Sequence, residues 1–539
     1  MIDAYRQDYG EFNAELMRES YLYNSGQKAE LSIAPIYERY AHLFTPEAIS
    51  ELTSILDETS EHFESQRTSV KHFLVFAVNQ LLDCSVKELT EAISREEASA
   101  AMNWRGGMMT FQDSAVAIST ESGRSSRDQI YNWRLSTLAA SNDLRAERLE
   151  KLHQTAASIG GHRNGAAQEN SDRAAINGEN QLLTKAAGND PASGGLAAQP
   201  RRDDKSTRSY GDLYGDLYGL ELDALATQCK ALLSKTEAAY RQRLNEALTH
   251  DLGITIEEAT RPDGMYLMHL ARYDERFPAS RITEAYRGTM EGLGIRTGSQ
   301  ENIIVDDEPR PHKSPRAFCA PIHVPEEVRL VIRPFGGHAD YMSFMHEAGH
   351  AQHYGWTSAA LPAEFRYTGD AALTETYAFL FNHLPNDPAW LQTFLGFSNS
   401  SDFIRSSILT RLFTVRRYAG KFIFELGLHS GRNGSGRDYA EILRDATGFK
   451  TGDAEYLFDL DDGFYSAGYL RAWALEVAFR DYLTTRFGRQ WWTSPRAGTF
   501  LKEIWETGDR YTADEIASQI GIGPINFDLL ADEFLKTLA

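Results

Sequence analysis

His346-Glu347-Ala348-Gly349-His350 constrains this chain more tightly than any other stretch. Helical residues four apart share a face, so His346 and His350 aim their imidazoles at one point. Two neutral imidazoles at that spacing suit a zinc ion. The Glu347 carboxylate, beside the first of them, is placed to polarise a water at the metal. Runs of this form also arise by chance in buried helices, so the reading rests on its surroundings.

A catalytic zinc site takes three protein ligands and an open fourth position. Downstream, Ala371-Ala372-Leu373-Thr374-Glu375-Thr376-Tyr377-Ala378-Phe379-Leu380-Phe381 reads as an apolar helix, with Asp370 as its N-cap and Pro385 beyond its end. Glu375 is the only acidic residue within it. A lone carboxylate in so apolar a run is costly to bury unless it is paired or bound to metal. The alternatives are a solvated stripe or a buried ion pair; the third-ligand reading is preferred, with one zinc per chain.

HEAGH, with 24 residues between His350 and Glu375, resembles the thimet oligopeptidase and oligoendopeptidase F family of zinc peptidases. It is more distantly similar to the angiotensin-converting enzyme family. Pro315-Arg316-Ala317-Phe318-Cys319-Ala320-Pro321 resembles that family's GAFC segment, and Val328-Arg329-Leu330-Val331-Ile332-Arg333 its short strand before the metal helix. Asp462-Gly463-Phe464-Tyr465-Ser466-Ala467-Gly468-Tyr469-Leu470-Arg471-Ala472-Trp473 resembles the family's tyrosine-rich helix, whose hydroxyls stabilise the oxyanion and help hold substrate. Tyr465 and Tyr469, four apart, share a face there as the family's tyrosines do. Two departures stand out. Ala472 occupies a position where the family carries a further catalytic tyrosine, and Asp459-Leu460-Asp461-Asp462 replaces a histidine shortly before the helix. Losing one oxyanion donor costs ~10²–10³ in turnover, so either remaining tyrosine takes over or the enzyme is slow; packing roles for both stay open.

Composition narrows the class. An apolar fraction of 42% supports a sizeable core, and a formal net charge of −21 argues against nucleic acid and anionic membranes. Cys84, Cys229 and Cys319 are odd in number, far apart and without a CxxC, which argues against a disulfide framework. Met1 to Asp8 has no apolar leader, and no run of about 18 apolar residues follows. A reducing cytoplasm is the expected setting. The sequence carries no signal of oligomeric state.

Residues 1–156 read as an N-terminal helical lobe, with Phe73–Leu82 a buried helix and Leu144–Leu152 amphipathic. From 134 to 209 there is no Phe, Trp or Tyr, and Gly-rich stretches punctuate the span, so 157–208 reads as a disordered linker or insertion. Residues 209–539 form the expected catalytic helical region. It opens on the repeat Tyr210-Gly211-Asp212-Leu213-Tyr214-Gly215-Asp216-Leu217-Tyr218-Gly219, too short for a solenoid. Gly431, Gly434 and Gly436 read as a connector, and His338 and His353 as structural or supporting residues beside the metal helix.

The resemblance implies a mainly α, two-lobed zinc metallopeptidase with a deep substrate channel and a small β-sheet beside the HExxH helix. His346, His350 and Glu375 would hold zinc, Glu347 would act as general base, and Tyr465 and Tyr469 would serve the oxyanion and substrate. Short peptides are the expected substrates. The strand carrying Val328, Leu330 and Ile332 would bind them by β-addition. Endopeptidase and carboxypeptidase action both remain open, and so does a weakly active zinc-binding scaffold; the intact Glu347 weighs against the scaffold.

Overall fold

The computed structural model describes residues 2–160, 209–432 and 434–538. Most of the expected linker lies outside the described residues. Its first positions, 157–160, continue the preceding helix.

The chain is mainly helical, as expected. The elements that matter for the site are α1 (Ile2–Asn24), α2 (Glu64–Ser85), α3 (Arg124–Gly160), α4 (Tyr210–Tyr218), α5 (Leu222–Leu252), α6 (His338–Trp356), α7 (Ala371–Asn382), α8 (Ser401–His429), α9 (Tyr465–Phe487) and α10 (Asp528–Leu538). A hairpin, β1 (Ala101–Trp104) and β2 (Gly107–Thr110), is separate from a three-stranded sheet of β3 (Ile303–Asp306), β4 (Phe318–His323) and β5 (Glu327–Val331). In that sheet β5 is central, parallel to β3 and antiparallel to β4.

Apolar periodicity accounts for most of these helices. Along α2, Phe73, Leu74, Phe76, Ala77, Val78 and Leu82 are buried. On α6, Tyr341, Phe344, Met345, Ala348 and Ala351 pack into the core, leaving His346, Glu347 and His350 on another side. The repeat of α4 sets Tyr210 and Tyr214 in the core, with a capping box from Ser209 and Asp212 at its start.

Two large hydrophobic cores build the molecule. One joins residues from Tyr9 to Ala156 with those from Tyr210 to Leu267 and from Ile408 to Leu538. The other gathers the sheet, α6 and the helices around it. The expected lobe 1–156 therefore shares its core with later helices instead of closing one of its own. Helices α7 and α9 contribute residues to both cores, so they run along the seam. Tight crossings hold them there. A Cβ on Gly349 would lie 2.6 Å from both Ala378 Cα and the Tyr377 carbonyl, so only glycine lets α6 and α7 approach this closely. Among the described residues no helix is long and apolar enough to cross a membrane.

Candidate metal centre

Helix α6 carries His346 and His350, and α7 lies across it with Glu375. Asp370 caps α7 as expected, accepting the Ala372 N–H at 2.9 Å. Arg471 of α9 bonds both Asp370 oxygens at 3.1 Å and Asp514 at 2.6 Å, tying the start of α7 to α9. That clamp aims Glu375 at the histidines. Its Oε2 lies 3.2 Å from His346 Nε2 and 3.8 Å from His350 Nε2.

These three side chains are the group among the described residues suited to a metal ion, their ligand atoms lying within 4.8 Å of one another. Bonds of ~2.1 Å in a tetrahedron set neighbouring ligand atoms ~3.4 Å apart, and the two observed separations bracket that value. Glu375 Oε2 is buried and makes no hydrogen bond of acceptable geometry. A buried carboxylate oxygen facing two imidazole nitrogens, otherwise unsatisfied, is what a zinc site presents. The donor set fits.

The electrostatics agree. Burial keeps His350 neutral by lowering its pKa, although the nearby Glu375 favours the proton. Burial alone would raise Glu375; the His346 and His350 rings and the Tyr465 hydroxyl outweigh it, and the carboxyl sits below its ordinary value. Glu347 behaves differently. Burial raises it, with His350 and the Cys319 N–H opposing, which brings a carboxylate base nearer neutral pH.

Glu347 is held from the sheet. Its Oε2 accepts the backbone N–H of Cys319 at 2.9 Å. That N–H therefore points away from β5, and Pro321, two residues on, shares the same outer side of β4. A proline there costs no ladder bond, because its missing N–H lies on the free edge.

The tyrosines divide their work. Tyr465 donates to Glu375 Oε1 at 2.8 Å and so steadies that carboxylate. Tyr469 sits among aromatic rings, 5.5 Å from Phe379, 5.4 Å from Tyr418 and 5.7 Å from Trp473 between centroids. Burial raises both hydroxyls well above the ordinary tyrosine value, so they stay protonated donors. Phe379 extends this wall onto His346, 5.2 Å away.

Solved structures place this geometry in context. The chain matches "Trypanosoma Cruzi Metallocarboxypeptidase 1" with a TM-score of 0.57 at 13% identity, covering 100% of this chain and 99% of that one. The chain shares the mainly helical fold of that structure. No protein-family model matches the chain, and no curated protein matches it in sequence.

One expectation is corrected. Val328, Leu330 and Ile332 are buried in the core beneath α6, and β5 has a strand on either side. With both edges paired and these side chains inward, β5 cannot add a peptide; the sheet edge beside Glu347 belongs to β4. Ala472 is fully buried, its carbonyl accepting the Thr376 hydroxyl at 3.4 Å, so a tyrosine ring there would have to fit between α7 and α9. The aspartates of the stretch Asp459–Asp462 form ion pairs and a hydrogen bond within the fold. Asp459 meets Arg417 and the Tyr439 hydroxyl, Asp461 meets Lys421, and Asp462 meets Arg148.

Sequence reasoning missed Tyr354. It continues the spacing of His346 and His350 by one more turn of α6, stacks on His353 at 5.2 Å, and has its hydroxyl raised by burial and by Asp509, Cys319 and Glu375 around it. The signal was there in the four-residue spacing. The Cys319 N–H left no such trace, since any residue but proline carries that group.

Proposed function

We propose that this chain is a zinc metallopeptidase cutting short peptides internally, as an oligoendopeptidase does. The observation that carries this is the joint placement of His346, His350 and Glu375 as a ligand set with Glu347 pinned to the edge strand. Bound there, zinc supplies Lewis-acid polarisation of a carbonyl and lowers the pKa of a water towards ~7. The protein's own groups do the rest. Glu347, anchored through one oxygen to Cys319, has the other with which to take a proton from water and pass it to the leaving amine. A peptide laid along the outer edge of β4 would pair with the carbonyls of Cys319 and Pro321. That mode reads backbone in preference to side chains.

Tyr465 is committed to Glu375, so Tyr469 is the hydroxyl assigned to the oxyanion. Tyr469→Phe keeps the ring in its aromatic wall and removes only the donor. Turnover should fall ~10²–10³ with little change in KM, because a donor used in the transition state lowers kcat selectively. Steady-state kinetics on one quenched-fluorescence peptide checks this; unchanged kcat moves the donor elsewhere.

Carboxypeptidase action is the second reading, favoured by the likeness in fold to a solved metallocarboxypeptidase. It needs a cation for the substrate's terminal carboxylate. The basic side chains that lie over the Tyr418 ring, Arg417 and Lys421, are already paired with Asp459 and Asp461. The two readings separate on one peptide made with a free and an amidated C-terminus. Equal cleavage of both at an internal bond is expected; cleavage of the free form alone, one residue or dipeptide from its end, supports the carboxypeptidase.

A further inference from the structure

Fourteen buried side-chain nitrogens and oxygens lack a hydrogen-bond partner among the described residues, and seven of them crowd one region. They are His350 Nδ1, both ring nitrogens of His353, Glu375 Oε2, the Tyr377 hydroxyl, Trp505 Nε1 and Asp509 Oδ1. Zinc accounts for Glu375. The other six are the second ring nitrogen of His350 and groups of His353, Tyr377, Trp505 and Asp509, and so many unsatisfied polar groups call for a common partner.

The geometry links them. His353 follows His350 by one turn of α6. Its Nε2 lies 3.9 Å from Asp509 Oδ1, too far for a direct hydrogen bond, and its ring lies 4.9 Å from that of Tyr377. Tyr377 in turn meets Trp505 edge-on at 6.5 Å. The Gly508 backbone is close enough to influence the His353 proton but lies outside hydrogen-bond geometry.

Asp509 is held firmly by its backbone. Its N–H donates to the Phe365 carbonyl at 2.8 Å, and its own carbonyl accepts His72 Nε2 at 2.9 Å. Asp509 also lines a cavity of about 1000 Å³ together with Thr368, Asp370, Arg471 and Tyr218 among others. The cluster itself is polar enough to hold water.

We propose that Asp509 is a positioning residue for the metal, acting on His350 Nδ1 through ordered water held with His353, Tyr377 and Trp505. A zinc-bound histidine almost always donates its other ring N–H to a carboxylate, carbonyl or water, which fixes the tautomer and the ring's aim. Here the water-linked carboxylate orients His350 so that Nε2 faces Glu375. The inference rests on the zinc reading of the site and not on peptide cleavage.

The test uses the full chain and zinc alone. Asp509→Asn keeps the shape of the side chain and removes its charge. Zinc affinity, measured by competition with a chromophoric chelator, should weaken ~10–100-fold. The melting temperature of the metal-free protein should hold or rise, since a buried carboxyl is lost, and the visible absorption of the cobalt-substituted protein should shift. Wild-type affinity together with an unshifted cobalt spectrum overturns the proposal. Should Asp509→Asn fail to fold, His353→Gln interrupts the same water link, and the same two readouts decide. A chain that binds zinc yet cuts no peptide sinks the peptidase reading and leaves this one standing; a wild-type chain that takes up no zinc sinks both.

Discussion

Glu347→Gln should retain one zinc per chain and lose peptide hydrolysis by ~10²–10⁴, the range general-base catalysis supplies. The substitution is nearly isosteric and leaves His346, His350 and Glu375 alone. The glutamine oxygen can still accept the Cys319 N–H, now 2.9 Å from Glu347 Oε2, so the edge of β4 stays where it is. What disappears is a basic carboxylate that burial has raised above its ordinary pKa. The loss should fall on kcat, because the amide cannot take the proton whatever substrate is bound. Zinc content by elemental analysis and kcat on one peptide check both halves. Normal turnover would put the base elsewhere and point to a different reaction.

Zinc content is where Glu375→Ala should act most strongly. It removes one of three protein ligands and leaves two imidazoles, too few to hold the ion stoichiometrically. The neighbourhood magnifies the effect. Tyr465 loses the carboxylate it bonds at 2.8 Å, and α7 loses the group that faces both His346 and His350. Purified Glu375→Ala should therefore carry far less than one zinc and show no cleavage. The fold should survive, since Asp370, Arg471 and the Gly349 crossing hold α7 without the ligand. One tight zinc in this variant would overturn the third-ligand assignment.

Much of the site is local in sequence, and that part was legible. His346, Glu347 and His350 lie within one helical turn and a half, where spacing alone decides which side chains meet. Glu375 stood out because an acidic residue in an apolar helix demands a partner, and the helix cap at Asp370 could be read from residue type. The buried helix through Phe73–Leu82 followed from hydrophobic pattern, and the strand at Val328–Arg333 from the resemblance.

The rest depended on which elements became neighbours. The resemblance pointed to the strand at β5 but not to its place at the centre of the sheet, so Val328, Leu330 and Ile332 read as a peptide-binding edge when they are core. Strand order is set by pairing across distant segments, and nothing local to β5 records it. The same holds for Tyr465 on Glu375, Cys319 on Glu347 and Asp509 behind His353, contacts that join residues 90, 28 and 156 positions apart. Residue order was enough to nominate His346, His350, Glu375 and Glu347 and to read the helical class, because those signals are local to single elements. Which strand offers its edge, and the contacts behind the roles proposed for Tyr469 and Asp509, came only with the folded chain, because packing between elements settles those contacts.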